Sequence, residues 1–237
     1  MRKALLAAAA LTLASACNAF GGSAPIQASG TNTDRNYPVG GFERVSLAAP
    51  YTVNLTVGGQ PSVSAQGDSA LLEKTEVLVE NGRLVIRLQQ GHNWSGAKGV
   101  INVTAPALNG ADIAGSGDIR VSPFQTQRFA GSVAGSGNLS LERLQADEAR
   151  FNIAGSGDVS ATGSARDTNI DIAGSGSARL SSLQAQSAQI SIAGSGNAEL
   201  NATGTAAISI AGSGNANVSG GARCQGSRVG SGNANCG

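Results

Sequence analysis

The sequence predicts an all-β protein, a single-stranded parallel β-helix or β-solenoid with about 18–20 residues per coil, and three observations carry that prediction. The first is a repeat. Ala-Gly-Ser-Gly begins at Ala114, Ala134, Ala154, Ala173, Ala193 and Ala211, and Val229 opens a seventh copy, at intervals of 20, 20, 19, 20, 18 and 18 residues. A coil of that length cannot enclose its own apolar face and must stack on its neighbours. The second is parity. Ile190, Ile192, Ala198 and Leu200 fall on one phase, and Ser191, Ser195, Asn197 and Glu199 on the other, which is the alternation of a strand with one face buried. The phase recurs at Ile208, Ile210, Ala216 and Val218, and at Phe151, Ile153, Val159 and Ala161. The third is the glycine pair within each copy. Glycine accepts positive φ and close backbone approach, so it suits a corner between two strands; at this period it would interrupt a helix, and no apolar stripe at 3.6-residue spacing is present.

Along the chain, Met1-Arg2-Lys3 is a short basic start, followed at residues 4–13 by an uncharged apolar run too short to cross a membrane. Ala14-Ser15-Ala16-Cys17 then reads as the end of an export signal peptide, residues 1–16. Two cleavage readings compete: a plain A-x-A site, and a lipobox that makes Cys17 the lipidated first mature residue. Cysteine arithmetic favours the second, because lipidating Cys17 leaves Cys224 and Cys236 as an even pair for a disulfide in an oxidising compartment. Against it, the position three before the cysteine is Ala14, where a lipobox usually has Leu. Asn18, which is not Asp, points onward to the outer membrane by its resemblance to Gram-negative lipoproteins. Removing residues 1–16 takes away Arg2 and Lys3 and leaves 14 basic against 15 acidic residues, a formal charge of −1, so no concentrated basic face for nucleic acid is expected.

Residues 17–36 are small, polar and glycine-containing and read as a flexible tether. From Tyr37 the pattern turns to irregular alternating strands over 37–110, around Phe42, Val45 and Leu47, then Tyr51, Val53, Leu55 and Val57, then Val77 and Val79, then Leu84, Ile86 and Leu88, then residues 100–103. Turn signals at Gly58-Gly59, Gly67-Asp68 and Asn81-Gly82 separate them. Pro106 leads into the repeats of 111–237 with no linker, so one continuous β-structure is expected over 37–237. The seventh copy lacks the Ile pair before it and carries Cys224 and Cys236 on its two sides, where a disulfide would close the last coil.

Gly41-Phe42 with the paired strands after it, the segment Asn81-Gly82-Arg83-Leu84-Val85-Ile86, the segment Val103-Thr104-Ala105-Pro106-Ala107-Leu108 and the Gly-Ser-Gly repeats together resemble the putative auto-transporter adhesin, head-GIN-domain family, over about residues 37–237. The resemblance implies a right-handed parallel β-helix in secreted or lipid-anchored bacterial proteins without established enzymatic activity. The chain departs from a cell-surface exporter in that no outer-membrane barrel of strands follows the repeats.

Candidate sites are few. The corner serines Ser116, Ser136, Ser156, Ser195 and Ser213 should align beside Asp118, Asn138, Asp158, Asn197 and Asn215, with Ser175, Ser177, Ser231 and Asn233 completing the rows. Such a polar ladder could bind glycan hydroxyls; the plainer reading is that these side chains satisfy backbone groups at the corner and one another. Asp118 and Asp158 stand two coils apart, a poor calcium cage, so no metal and no cofactor is expected. His92, the only histidine, sits beside the sole tryptophan in Gly91-His92-Asn93-Trp94. A general base or a sugar-stacking ring is conceivable there, but a solvated loop tip fits better, since no second titratable partner is near in sequence. Gly-Ser-Gly is neither a phosphate loop nor a nucleophile elbow. The charged stretch with Arg143, Asp147, Glu148 and Arg150 reads as a solvated face.

The expectation is therefore a non-catalytic lipoprotein of the cell envelope, at the outer membrane. It would be held through its lipid anchor and present a stiff, adhesin-like binding or structural surface to a glycan, an envelope protein or a second copy of itself. The alternative is a polysaccharide-binding or polysaccharide-degrading β-helix protein, which would need converging carboxylates on long loops that these short coils lack. Adsorption to an ordered lattice such as ice would call for Thr-x-Thr rows, which are absent.

Overall fold

The computed structural model of the chain describes residues 24–237; the segment expected to be an export signal, and Cys17, lie outside the described residues. The N-terminal part comprises β1 (Ala24–Pro25), β2 (Asn32–Tyr37), β3 (Arg44–Ala48), β4 (Tyr51–Val57), β5 (Ser62–Asp68), helix α1 (Ser69–Glu73), β6 (Thr75–Glu80), β7 (Arg83–Leu88), β8 (His92–Asn93) and β9 (Gly99–Ala105). The repeats supply β10 (Gly110–Gly115), β11 (Asp118–Val121), β12 (Phe124–Gly135), β13 (Asn138–Gly155), β14 (Asp158–Gly174), β15 (Ser177–Gly194), β16 (Asn197–Gly212), β17 (Asn215–Ser219), β18 (Arg223–Val229) and β19 (Asn233–Cys236). All but β1 and β8 join one sheet of 17 strands that winds as a parallel β-solenoid.

Each long strand runs from one glycine corner to the next and carries all three walls of the coil. The wall before the glycine corner stacks Ile113, Val133, Ile153, Ile172, Ile192 and Ile210 in one column, and the wall after it stacks Ile119, Leu139, Val159, Ala178, Ala198 and Ala216. All of these side chains are buried. Period-two alternation thus becomes a column because parallel, in-register stacking places the same inward position above itself at every rung. A third wall, which parity in the sequence did not reveal, stacks Leu144, Gly163 and Leu183. The shorter coils lose their residues at the corner before this wall: the register slips between Leu141 and Leu144, and again between Leu180 and Gln184. Large and small residues compensate in the core. Gly131 lies where an added Cβ would meet Leu139 and Phe151, and Phe129 and Phe151 fill that space with ring centroids 6.2 Å apart.

The N-terminal strands are less irregular than the sequence suggested. β3 continues the first wall onto β10, and β4 continues the second onto β11; β7 and β9 then add one more rung outside them. The stack ends there with antiparallel β6 on β7, β5 on β9 and β2 on β5. Helix α1 closes the end of the core with Leu71 and Leu72, and Asp68 caps it by accepting from the Ala70 amide at 2.9 Å. One expectation is corrected here: the flexible tether does not extend to residue 36, because β2 pairs with β5 from Asn32 onward, and Ala24–Pro25 pair with His92–Asn93. Spacing alone did not reveal this strand, since it is exposed on both faces and lacks apolar alternation.

At the other end, Cys224 stacks on Ala206 and Cys236 on Val218, both inward positions, and the two are disulfide-bonded with Cα atoms 6.5 Å apart. Gly226 and Arg228 take the columns of Ile208 and Ile210, so the last rung offers no apolar side chain there for another coil to cover. Arg228 is exposed there and donates to Asn233 Oδ1 at 3.3 Å, and a charge at a sheet edge disfavours further strand addition. Among the described residues no helix is long and apolar enough to cross a membrane.

Candidate functional site

The Gly-Ser-Gly corners stack directly on one another, and the two glycines serve different needs. At Gly155 φ is +126°, and an added Cβ would sit 2.5 Å from the Gly135 carbonyl oxygen. At Gly157 the backbone is ordinary, but a Cβ would collide with the Gly137 carbonyl of the rung before. The first glycine of a corner offers its carbonyl to amides of the next rung, in most corners to two: Ser156 and Gly157 donate to Gly135, and Ser175 and Gly176 donate to Gly155, at 2.9–3.0 Å. With the corner backbone so engaged, the serine side chains face outward. Ser116, Ser136, Ser156, Ser195 and Ser213 are exposed, and none of their hydroxyls bonds another group of the described chain. The reading that these serines satisfy corner backbone is thereby corrected: inter-rung amides do so, and the hydroxyls remain free for solvent or ligand.

Beside them runs the column Thr52, Asp118, Asn138, Asp158, Ser177, Asn197, Asn215 and Asn233. These side chains do bond between rungs. Asp118 accepts from the Asn138 amide nitrogen at 3.1 Å and from its Nδ2 at 2.8 Å, Asp158 accepts from the Ser177 amide at 3.0 Å, and Asn215 Nδ2 donates to Asn197 Oδ1 at 2.9 Å. Partial burial disfavours ionisation of Asp118, but the Lys98 ammonium at 2.6 Å and the Asn138 donors outweigh it and hold the carboxyl below its ordinary range. The column is thus a pre-ordered row of amides and carboxylates at about 4.8 Å spacing, with the serine row alongside.

Lys98 joins this row to a recess of about 530 Å3 at its N-terminal end, lined by Trp94, Lys98, Gln66, Asn32 and Val100 among others. Val100 stacks on Thr52 and so belongs to the same column as Asp118. The indole N–H of Trp94 donates to the Ala97 carbonyl at 3.0 Å, and Gly96 packs against the ring, which fixes the ring at the recess wall. The Gln66 and Asn32 amide groups make no hydrogen bond within the described chain. Only the isolation of the single tryptophan in a glycine-rich stretch signalled this feature; the wall built from β5 was not foreseen.

His92 does not sit in a free loop tip. Its backbone pairs with Ala24, and its Nδ1 lies 3.2 Å from the Gln90 carbonyl, with no carboxylate or nucleophile among its bonded partners. Among the described residues no three His, Cys, Asp or Glu side chains converge as metal ligands. Asp158 is paired with Arg179 at 2.9 Å rather than with a second carboxylate.

Residues 41–222 match the model of the family described as putative auto-transporter adhesin, head GIN domain. Among solved structures, the chain is similar to a putative adhesin from Bacteroides fragilis, at 23% identity and a TM-score of 0.83 over 89% of this chain and 99% of that one. It is similar to a putative lipid binding protein from Parabacteroides distasonis, at 22% identity and 0.74 over 90% and 100%. A putative adhesin from Parabacteroides merdae shows 17% identity and 0.68 over 90% and 99%. At these identities the likeness establishes the fold. A comparison with curated proteins finds no match.

Proposed function

From the premise that this chain belongs to the putative auto-transporter adhesin, head GIN domain family, we propose that it is a non-catalytic, lipid-anchored protein of the bacterial outer membrane whose solenoid binds glycan through its polar ladder and the Trp94 recess. The observation that supports this reading most is the continuity of the two. Free corner hydroxyls and pre-ordered amides run along one edge of a fully hydrogen-bonded frame and end at a recess holding an aromatic ring and two unengaged amide side chains. A rigid surface loses little entropy when a ligand is immobilised on it, and rows repeated at every rung allow many weak contacts to add. The disulfide is in keeping with export, and the family resemblance with a role in adhesion.

The test uses the mature chain on neutral oligosaccharides, read by the fluorescence of its one tryptophan. Binding should shift the emission of the native protein, and the combined change Asn32→Ala and Gln66→Ala should abolish the shift while leaving the melting curve in place. An unchanged titration in that variant, or no response to any glycan, would reject the reading. For the anchor, Cys17→Ala should move the protein from the membrane to the soluble fraction; continued membrane association would reject lipidation.

A further inference from the structure

On another wall of the solenoid the outward column that runs Arg83, Arg44, Gly110, Ala130, Arg150 is interrupted by two small residues. Further along the same column stand Asn169 and Gln189, so Gly110 and Ala130 leave a notch between the long side chains of Arg44 and Arg150. Arg44 reaches into it. Its guanidinium lies against Gly110, where an added Cβ would come within 2.9 Å of Cζ, and Nη2 pairs with Asp112 at 3.3 Å. Its Nε is buried without a partner. Arg150 faces it across Ala130, exposed and with no ion pair or hydrogen bond within the described chain. Arg128 stands at the side, 84% exposed and only loosely paired with Glu148 at 3.7 Å. Together they line a recess of about 490 Å3 with three guanidinium groups against one carboxylate.

We propose that this notch is a binding site for an oxyanionic group, carboxylate or phosphate, carried on a saccharide, held between the guanidinium groups of Arg44 and Arg150 above Ala130. From Gly110 to Arg150 is two rungs, about 10 Å, which matches one oxyanion with a guanidinium on either side. Arginine forks suit carboxylate and phosphate alike, and a free guanidinium beside a partly neutralised one leaves positive charge that the chain itself does not balance. The recess exceeds the volume of a bare anion and falls in the range of small-molecule sites, which is the ground for a saccharide carrier. Only that carrier rests on the glycan-binding reading; the clamp itself lies on a different wall from the ladder.

The experiment is calorimetric titration of the mature chain at low salt with a galacturonate oligomer, glucose 6-phosphate, neutral glucose oligomer and inorganic phosphate. The acidic saccharides should bind, the neutral one should not bind at this wall, and added salt should weaken the interaction. Arg150→Ala should lower affinity roughly 10-fold or more. Ala130→Gln, which fills the notch as Gln189 fills its own position, should abolish binding without removing any charge. Inorganic phosphate binding as tightly as glucose 6-phosphate would overturn the saccharide carrier, and equal binding by the Arg150→Ala or Ala130→Gln protein would overturn the clamp. The Asn32→Ala and Gln66→Ala protein should bind the acidic saccharides normally, so this site and the Trp94 recess fail separately.

Discussion

Replacing Gly155 with alanine tests the corner geometry on which the stack depends. The methyl group meets two penalties at once. With φ at +126° an L-residue occupies a region that costs about 1–3 kcal/mol. The Cβ also falls 2.5 Å from the Gly135 carbonyl oxygen, an overpacking that costs about 1–3 kcal/mol in a backbone with nowhere to move. That oxygen accepts from Ser156 and Gly157, and the Gly155 carbonyl accepts from Ser175 and Gly176, so displacing this corner disturbs bonds on both of its neighbours. The loss should be roughly 2–6 kcal/mol, a large part of the 5–15 kcal/mol typical of a folded domain. Gly157→Ala keeps an ordinary backbone and meets only the second penalty, so it should lose about 1–3 kcal/mol. Gly41→Ala has open space around it and no positive φ, and should be neutral or slightly stabilising, by less than about 1 kcal/mol. Urea unfolding of the three variants, followed by far-UV circular dichroism, should rank Gly155 below Gly157 and Gly157 below Gly41. A Gly155→Ala midpoint equal to that of Gly41→Ala would refute the reasoning, because neither the positive φ nor the close rung would then be constraining the corner.

Thr168 is buried in the column between Ala149 and Ala188 with its hydroxyl unpartnered, so Thr168→Val should stabilise the fold by about 1 kcal/mol in the same assay. The fully buried Tyr51 hydroxyl donates to Thr75 Oγ1 at 2.5 Å, and Thr75 in turn donates to Leu71; burial, with the Thr75 bond opposing it, pushes the phenol pKa up to about 12. The unfolded chain therefore releases this proton first, so stability is intact below pH 10 and should fall by up to roughly 3 kcal/mol as the pH rises toward 12. Chemical denaturation across that range should show the fall, and Tyr51→Phe should remove it. Reducing the Cys224–Cys236 bond, which closes a loop of 12 residues, should cost about 3 kcal/mol and speed hydrogen exchange in residues 223–236 before the central rungs respond.

What the sequence made legible was whatever repeats in register. The glycine pairs located one corner of every coil because no other residue fits a position where two successive rungs bring carbonyl and Cα this close. The Ile and Leu positions located the two flanking walls because burial on one face imposes period two. The third wall stayed hidden because its coils differ in length, so Gly163 must stand opposite Leu144 and Leu183 and no parity survives the slip. The N-terminal cap was hidden for another reason. β2 is exposed up to its last residue, and α1 spans only five residues, so neither has the buried periodic face by which a segment announces itself. The arginine notch is invisible in one dimension, since Arg44, Gly110, Ala130 and Arg150 are neighbours only through the stacking of rungs.

The two ends of the stack bear on how the walls can be used. A parallel solenoid with bare ends would propagate, by adding copies of itself to its terminal strands, and its walls would become those of a fibre. Here one end turns antiparallel and is closed by Leu71 and Leu72, while the other sets a disulfide and Arg228 where the next apolar layer would begin. These devices differ in chemistry yet have the same effect, which is to fix the number of rungs within one chain. On the proposed glycan-binding reading, a ligand laid along the ladder meets a row with Trp94 at one end and Asn233 at the other, so recognition would depend on ligand length and direction as well as on its hydroxyl groups. A defined length is what an indefinitely propagating stack of the same repeat would lack, whereas direction is already set by the parallel stacking of the rungs.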